Sequence, residues 1–350
     1  MVTNKKQSRI FAKTSTARFW TVTIASICLA LLAIYISVTN GEFDMTLQDV
    51  INTLLRHDPK PEHDLVIFEF RLPRIVIAAL VGMGLGLAGT VVQAITRNGL
   101  ADPGILGINA GAGAAIVLFI FMFEGKMGSE GLLTTLAMPL FGLVGGLLSA
   151  FLIFLFAWQK GKLDPQRLIL VGIAVGTGLG AFTLYLSLRM NAKDFEMATV
   201  WMTGSIWSAN WIYIVAMLPW FILFIPILFR KANVLNLLQL DENSVRGLGV
   251  STEKEKMVLL LASVGIISAC VSVSGSIGFV GLMAPHIAKA LVGNHHRRIL
   301  PVSALMGMLL VLVSDFIAKT VFSPAELPVG IVIAIIGGPY FLYLLYKARA

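Results

Sequence analysis

Asp315 and Lys319 stand four residues apart near the end of an apolar run, a spacing that sets a carboxylate and an ammonium on one helical face. Inside a membrane such a couple is a satisfied ion pair at a helix mouth, a proton relay, or part of a pore or docking surface. His286 follows Pro285 in Gly281-Leu-Met-Ala-Pro-His286 and reads as a hydrogen-bonded helix residue. His295 and His296 offer two imidazoles, but the adjacent Arg297 and Arg298 disfavour a bound cation, and the stretch reads as a solvated loop. Gly82-Met-Gly-Leu-Gly86 spaces its glycines like a dinucleotide loop yet lies inside an apolar run with no preceding strand. No G-x-x-x-x-G-K-[ST] occurs, so any ATP must be bound by another chain. The sequence offers no nucleophile–base set, H-E-x-x-H or paired carboxylates, so no catalytic residue and no metal site is assigned. Cys28 and Cys270 sit in apolar runs, which excludes a disulfide framework and a cysteine-based zinc site.

The elements that carry these residues are membrane helices. Of the 350 residues 57% are hydrophobic and 13% charged, and the mean hydropathy is +0.84. A soluble domain carries roughly 25% charged residues, and so few cannot cover this much apolar surface. The same numbers exclude disorder. The net charge of +8 comes without a basic stripe of interleaved aromatics, so nucleic acid is not an expected partner; the lipid bilayer is.

A span needs about 20 apolar residues. The apolar runs predict ten, at 19–39, 75–95, 104–123, 132–157, 168–188, 210–229, 257–274, 278–293, 300–319 and 328–346. Lys5, Lys6, Arg9, Lys13 and Arg18 precede the first run as in a signal peptide, but its length and the poor cleavage site Ser37-Val-Thr-Asn40 favour an uncleaved span. Met257 to Ala288 holds no Asp, Glu, Lys or Arg, and Ser272-Val-Ser-Gly-Ser-Ile-Gly278 in its middle predicts a helix break and re-entry. With ten spans and both termini inside, 19 of the 27 Lys and Arg fall on the inner side, as the positive-inside bias requires. Merging the two spans around the break would put His295, His296, Arg297 and Arg298 outside. Residues 1–350 then form a single transmembrane domain without a soluble one.

The largest loops are 40–74, outside, with His57, Pro59, Pro61 and His63, and 230–256, inside. The inner loop reads as one or two short amphipathic helices, 234–240 and 241–246, stopped by Gly247-Leu-Gly249. Glycines four apart, such as Gly82 and Gly86 or Gly142 and Gly146, predict close helix packing in a compact bundle.

Four ordered motifs resemble one family, the permease subunit of bacterial ABC importers for iron-siderophores, haem and cobalamin. Phe70-Arg-Leu-Pro-Arg74 resembles its R-x-P-R opening of the second span. Residues 93–107, from Gln93 through Asn98-Gly-Leu-Ala-Asp-Pro103 to Gly107, resemble its Q-x-x-x-x-N-P-L-A-x-P-x-x-L-G signature, with Gly99 in place of the usual proline. Gly278-Phe-Val-Gly-Leu-Met-Ala-Pro-His286 and Glu326-Leu-Pro-Val-Gly330 resemble two more, and Gly337-Gly-Pro-Tyr-Phe-Leu342 closes the chain as in the family.

The resemblance implies the all-α type II importer fold, with ten spans in the bacterial cytoplasmic membrane. It implies a pore shared by two permeases, a homodimer or heterodimer. Two cytoplasmic ATPase subunits would hold ATP and magnesium, and an extracytoplasmic binding protein would deliver the cargo. The permease itself binds no cofactor. Arg71 and Arg74 match family arginines that salt-bridge glutamates on the binding protein, and Lys319 stands where a third arginine is common. Lys319 keeps the charge without the guanidinium fork. Leu238-Gln-Leu-Asp-Glu-Asn-Ser-Val-Arg-Gly-Leu-Gly249 resembles the L-x-L-G-E-x-x-A-R-x-L-G coupling loop: Leu238, Glu242, Arg246, Leu248 and Gly249 match, while Asp241 replaces a glycine and Val245 an alanine. Asn98 and Leu100 match a loop that helps close the inner end of the pore. The expected cargo is a ferric siderophore of hydroxamate type, with haem and cobalamin as alternatives. An ion-coupled secondary transporter is the rival class; the helix break fits it, and the scarcity of intramembrane carboxylates opposes it.

Overall fold

The computed structural model describes residues 2–41, 43, 45–57, 60–123, 132–159, 161–240, 242–321, 323 and 325–349. Pro59, Lys126, Lys160 and Asp241 lie outside them, and the side chains of residues 2–15, Glu242 and Arg246 are not described.

The described chain is helical almost throughout. Its helices are α1 Val2–Thr39, α2 Leu47–Leu54, α3 Pro61–Asp64, α4 Leu72–Thr96, α5 Ile108–Met122, α6 Leu132–Ala157, α7 Pro165–Ser187 and α8 Ala192–Met202. They continue as α9 Trp211–Arg230, α10 Ala232–Leu237, α11 Glu242–Gly247, α12 Thr252–Ser274, α13 Val280–Val292, α14 His296–Thr320 and α15 Val329–Arg349. A two-residue hairpin, Trp158–Gln159 with Lys162–Leu163, turns α6 into α7.

Each expected apolar run holds one apolar helix, but they are not equal. Eight are long and apolar enough to cross a bilayer, while α5 and α13 are shorter. At about 1.5 Å per residue, a 15-residue α5 reaches roughly 22 Å, less than the ~30 Å hydrocarbon core. Both short helices follow irregular backbone. The Asn98–Gly107 stretch and its 3-10 turn Pro103–Leu106 precede α5, and the break after Ser274 precedes α13. The expected re-entry is therefore present, with Gly275 at φ 67° and Phe279 at φ 64°. In the other direction α4 is extended: α3, a π-helical stretch Leu65–Arg71 and α4 run on as one helix over Pro61–Thr96.

Glycine contacts set the packing of α4. A Cβ on Gly82 would lie 2.2 Å from the carbonyl oxygen of Gly307, so α4 and α14 meet backbone to backbone. The Ser303 hydroxyl donates to Gly86 O at 2.8 Å across the same seam. α4 and α12 are buried on nearly every side, whereas α1, α7 and α9 present broad apolar faces outward, as lipid contact requires. We name the ends of the bundle inner and outer by the charge bias of the sequence.

Candidate functional site

The outer end gathers three cations expected from the sequence. Arg74, one turn into the α4 run, donates Nε to Asp315 Oδ1 at 2.9 Å and Oδ2 at 3.2 Å. Its Nη1 donates to Glu326 Oε2 at 2.8 Å. Asp315, on α14, is only 2% exposed. The ion pair expected along α14 between Asp315 and Lys319 is thus not the one formed. A guanidinium fork from α4 takes the buried carboxylate, because a desolvated two-point contact outweighs an i,i+4 pair worth a few tenths of a kcal/mol. Lys319 turns to the end of α1 instead and donates to Ser37 O at 2.9 Å and Asn40 O at 3.3 Å. Arg71 is 8% exposed and donates to Val38 O and Phe43 O. Its guanidinium lies so close to Gly41 that a Cβ there would come within 2.9 Å of Nη2. Arg71 and Lys319 therefore hold the end of α1 and Phe43, while Arg74 ties the outer ends of α4 and α14 together.

The inner end is organised around α10 and α11. Arg97, in left-handed conformation at φ 51° after α4, donates to Leu238 O at 3.0 Å and to Leu240 O. The Lys231–Glu255 pair at 2.6 Å closes the loop at its base. Leu238 and Val245 are buried, whereas Leu248 is 63% exposed next to Gly249 at φ 78°. The loop thus carries an apolar anchor facing in and an apolar knob facing out, a shape suited to transmitting a partner's motion. The first helix spans Ala232–Leu237 rather than 234–240, because Leu238 and Leu240 lend their carbonyls to Arg97. Asn98 Oδ1 accepts the Leu100 N–H at 2.9 Å, which fixes the turn at the start of the re-entering stretch. Leu100 packs with Leu282, Met283 and Leu344, so it joins α13 to α15.

A profile of the FecCD transport family matches residues 29–347. The chain belongs to the FecCD transport family. Among relatives, the iron-uptake system permease protein FeuC of Bacillus subtilis is 56% identical over 323 residues, 92% of this chain and 96% of that one. The iron(3+)-hydroxamate import system permease protein FhuG of the same organism is 48% identical over 286 residues, 82% and 85% of the two chains. A solved inward-facing structure, assigned to the metal-chelate type of ABC transporter, superposes with a TM-score of 0.80 at 31% identity, covering 93% of this chain and 99% of that one. This FecCD-family chain is accordingly a multi-pass membrane subunit, the permease of an ABC importer, which works with an ATPase and a binding protein.

Polar side chains inside the permease find partners on distant helices. His286 is hydrogen-bonded as expected, with Nδ1 2.6 Å from the Tyr340 hydroxyl of α15. Beside it Lys289 donates to Gln93 Oε1 at 2.9 Å, while Gln93 Nε2 donates to Leu282 O at 3.2 Å. Gln93 was visible only as the first letter of a motif. His296 corrects an expectation: it is fully buried rather than solvated. α14 begins at His296, and Asn236 Oδ1 of α10 accepts its backbone N–H at 2.9 Å, capping α14 from another element. Asp102 caps the 3-10 turn Pro103–Leu106, its Oδ1 accepting the Gly104 N–H at 2.7 Å.

Proposed function

We propose that this permease moves a ferric siderophore, of hydroxamate type, across the bacterial cytoplasmic membrane. The single observation that carries the cargo is the 56% identity over 92% of the chain with an iron-uptake permease, backed by 48% identity with an iron(3+)-hydroxamate permease. Two permease copies, identical or paired with a related chain, enclose the pore, and two ATPase subunits bind ATP and magnesium below. The permease does no chemistry on its cargo, and a pore of low affinity lets the cargo leave as readily as it enters.

The geometry supports a role for each end. At the outer end, Arg74 docks the binding protein by exchanging Glu326 for a carboxylate of the partner, while Arg71 and Lys319 hold the platform in shape. At the inner end, residues 238–249, with Asp241, Glu242 and Arg246 in the same stretch, seat in a groove of the ATPase. Asn98 and Leu100 close the inner mouth. Residues 1–350 act as one permease domain.

The test is reconstitution of the complete importer in liposomes with ATP inside. Uptake of a ferric hydroxamate, competed by neither haem nor cobalamin, is the expected result. Uptake of haem or cobalamin in its place would reassign the cargo. Uptake driven by an ion gradient without ATP would overturn the importer mechanism.

A further inference from the structure

Helix α2 divides its surface into three sectors, each about a third of the circumference at about 100° per residue. Val50 and Thr53 face the protein and are buried. Gln48, Asp49 and Asn52 form a polar sector. Leu47, Ile51, Leu54 and Leu55 form the third, and all four are exposed, Leu55 to 68%. A surface helix on a soluble protein needs only two sectors, one buried and one polar. A third, apolar and uncovered, calls for an apolar medium beside the protein.

We infer that α2 lies in the plane of the outer membrane interface, with Leu47, Ile51, Leu54 and Leu55 among the acyl chains of the outer leaflet. An interfacial helix has this distribution: protein at its flank, hydrocarbon beneath and water above. The segments that flank α2 in the chain also present exposed apolar side chains, as a lipid-facing surface requires. Leu31, Leu32 and Tyr35 of α1, before it in the chain, and Leu65 and Phe70, after it, are all exposed. The helix is held as a rigid piece. Thr46 and Asp49 form a capping box at its start. Just past its end, Arg56 adopts the left-handed conformation, pairs with Asp64 and stacks 4.7 Å over the Phe68 ring.

The anchor bears on the outer cluster. The segment that joins α1 to α2 supplies Asn40 O to Lys319 and Phe43 O to Arg71. With α2 seated in the leaflet, both ends of that segment are fixed to the bilayer, and the platform around Arg74 keeps its height above it.

Spin-label accessibility tests this in the reconstituted importer, in bilayers of phosphatidylethanolamine and phosphatidylglycerol. In a Cys28→Ser background, which leaves only the buried Cys270, nitroxides are placed at Ile51→Cys, Leu54→Cys and Leu55→Cys, and at Gln48→Cys and Asn52→Cys. Retained ATP-driven uptake selects folded variants, and one from each sector suffices. The expected result is several-fold greater accessibility to oxygen than to a nickel chelate in the apolar sector, the reverse in the polar sector, and no change when binding protein is added. Nickel access to the apolar sector of the free importer overturns the inference. If that sector then becomes shielded only on adding binding protein, it is a docking face for that partner instead.

Discussion

Arg74 and Asp315, 241 residues apart in sequence, form a buried two-point ion pair that ties the outer end of α4 to that of α14. Its geometry decides which residues at this end can be spared. Breaking a buried pair from one side leaves the other charge stranded, at a cost of about 3–5 kcal/mol. Asp315→Ala and Arg74→Ala are each expected to lower the unfolding midpoint strongly in detergent. The double variant should cost less than the sum of the two. Strict additivity would show that the two groups do not depend on each other.

Docking through Arg74 requires it to leave Glu326. Glu326→Gln removes that competitor while Asp315 still holds Nε, so the permease should bind its binding protein up to about fivefold tighter, the reach of one exposed pair. Arg74→Gln should weaken binding and flatten its salt dependence. Equal affinities for all three proteins, measured at two ionic strengths, would take Arg74 out of the docking surface.

Gly249 ends the coupling loop at φ 78°, and proline is confined to a φ near −65°. Gly249→Pro is expected to re-aim the exposed Leu248 and to separate ATP hydrolysis from uptake, with hydrolysis persisting while uptake falls. Gly247→Ala, where an added Cβ meets nothing within 4 Å, is the control. Normal coupling in the proline variant would remove this loop from the transmission path.

The α4–α14 seam should tolerate no side chain. Gly82→Ala pushes a methyl against the backbone of Gly307, with an expected cost of about 1–3 kcal/mol. Gly178→Ala on α7 meets open space and should leave the unfolding midpoint unchanged. Similar shifts for the two would mean that the helices separate easily.

The cap of α2 has its own pH signature. The Thr46 hydroxyl, and then the Thr46 backbone N–H, hydrogen-bond the Asp49 carboxylate and hold it below the ordinary carboxylate range. A depressed folded value contributes stability above the unfolded value and loses it as pH falls through the folded one. A nitroxide at Asn52→Cys should therefore keep its mobility as pH falls through the usual carboxylate range and gain mobility only below it. Mobility that rises at mildly acidic pH would show that Asp49 does not hold the cap.

Much of this permease was legible in its residues. Apolar runs announce helices because an unpaired backbone group in hydrocarbon costs too much for any other local structure. Ser272 to Gly278 announced a break because serine and glycine accept one. The motifs at 70–74, 93–107, 278–286 and 326–330 pointed to the family, and the short helices of 230–256 were visible as amphipathic pattern. Partner choice was not legible. Asp315 had Lys319 one turn away and took Arg74, and His296, beside two arginines, is buried with its backbone N–H held by Asn236. Local spacing limits only what a side chain can reach along its own helix, whereas packing decides which distant group meets it without water. The sequence alone thus determined the helices, their breaks and the family. The ion pairs at the two ends, and the three-sided surface of α2, came only from tertiary structure, because burial sets the strength of a charge pair and leaves one apolar face uncovered.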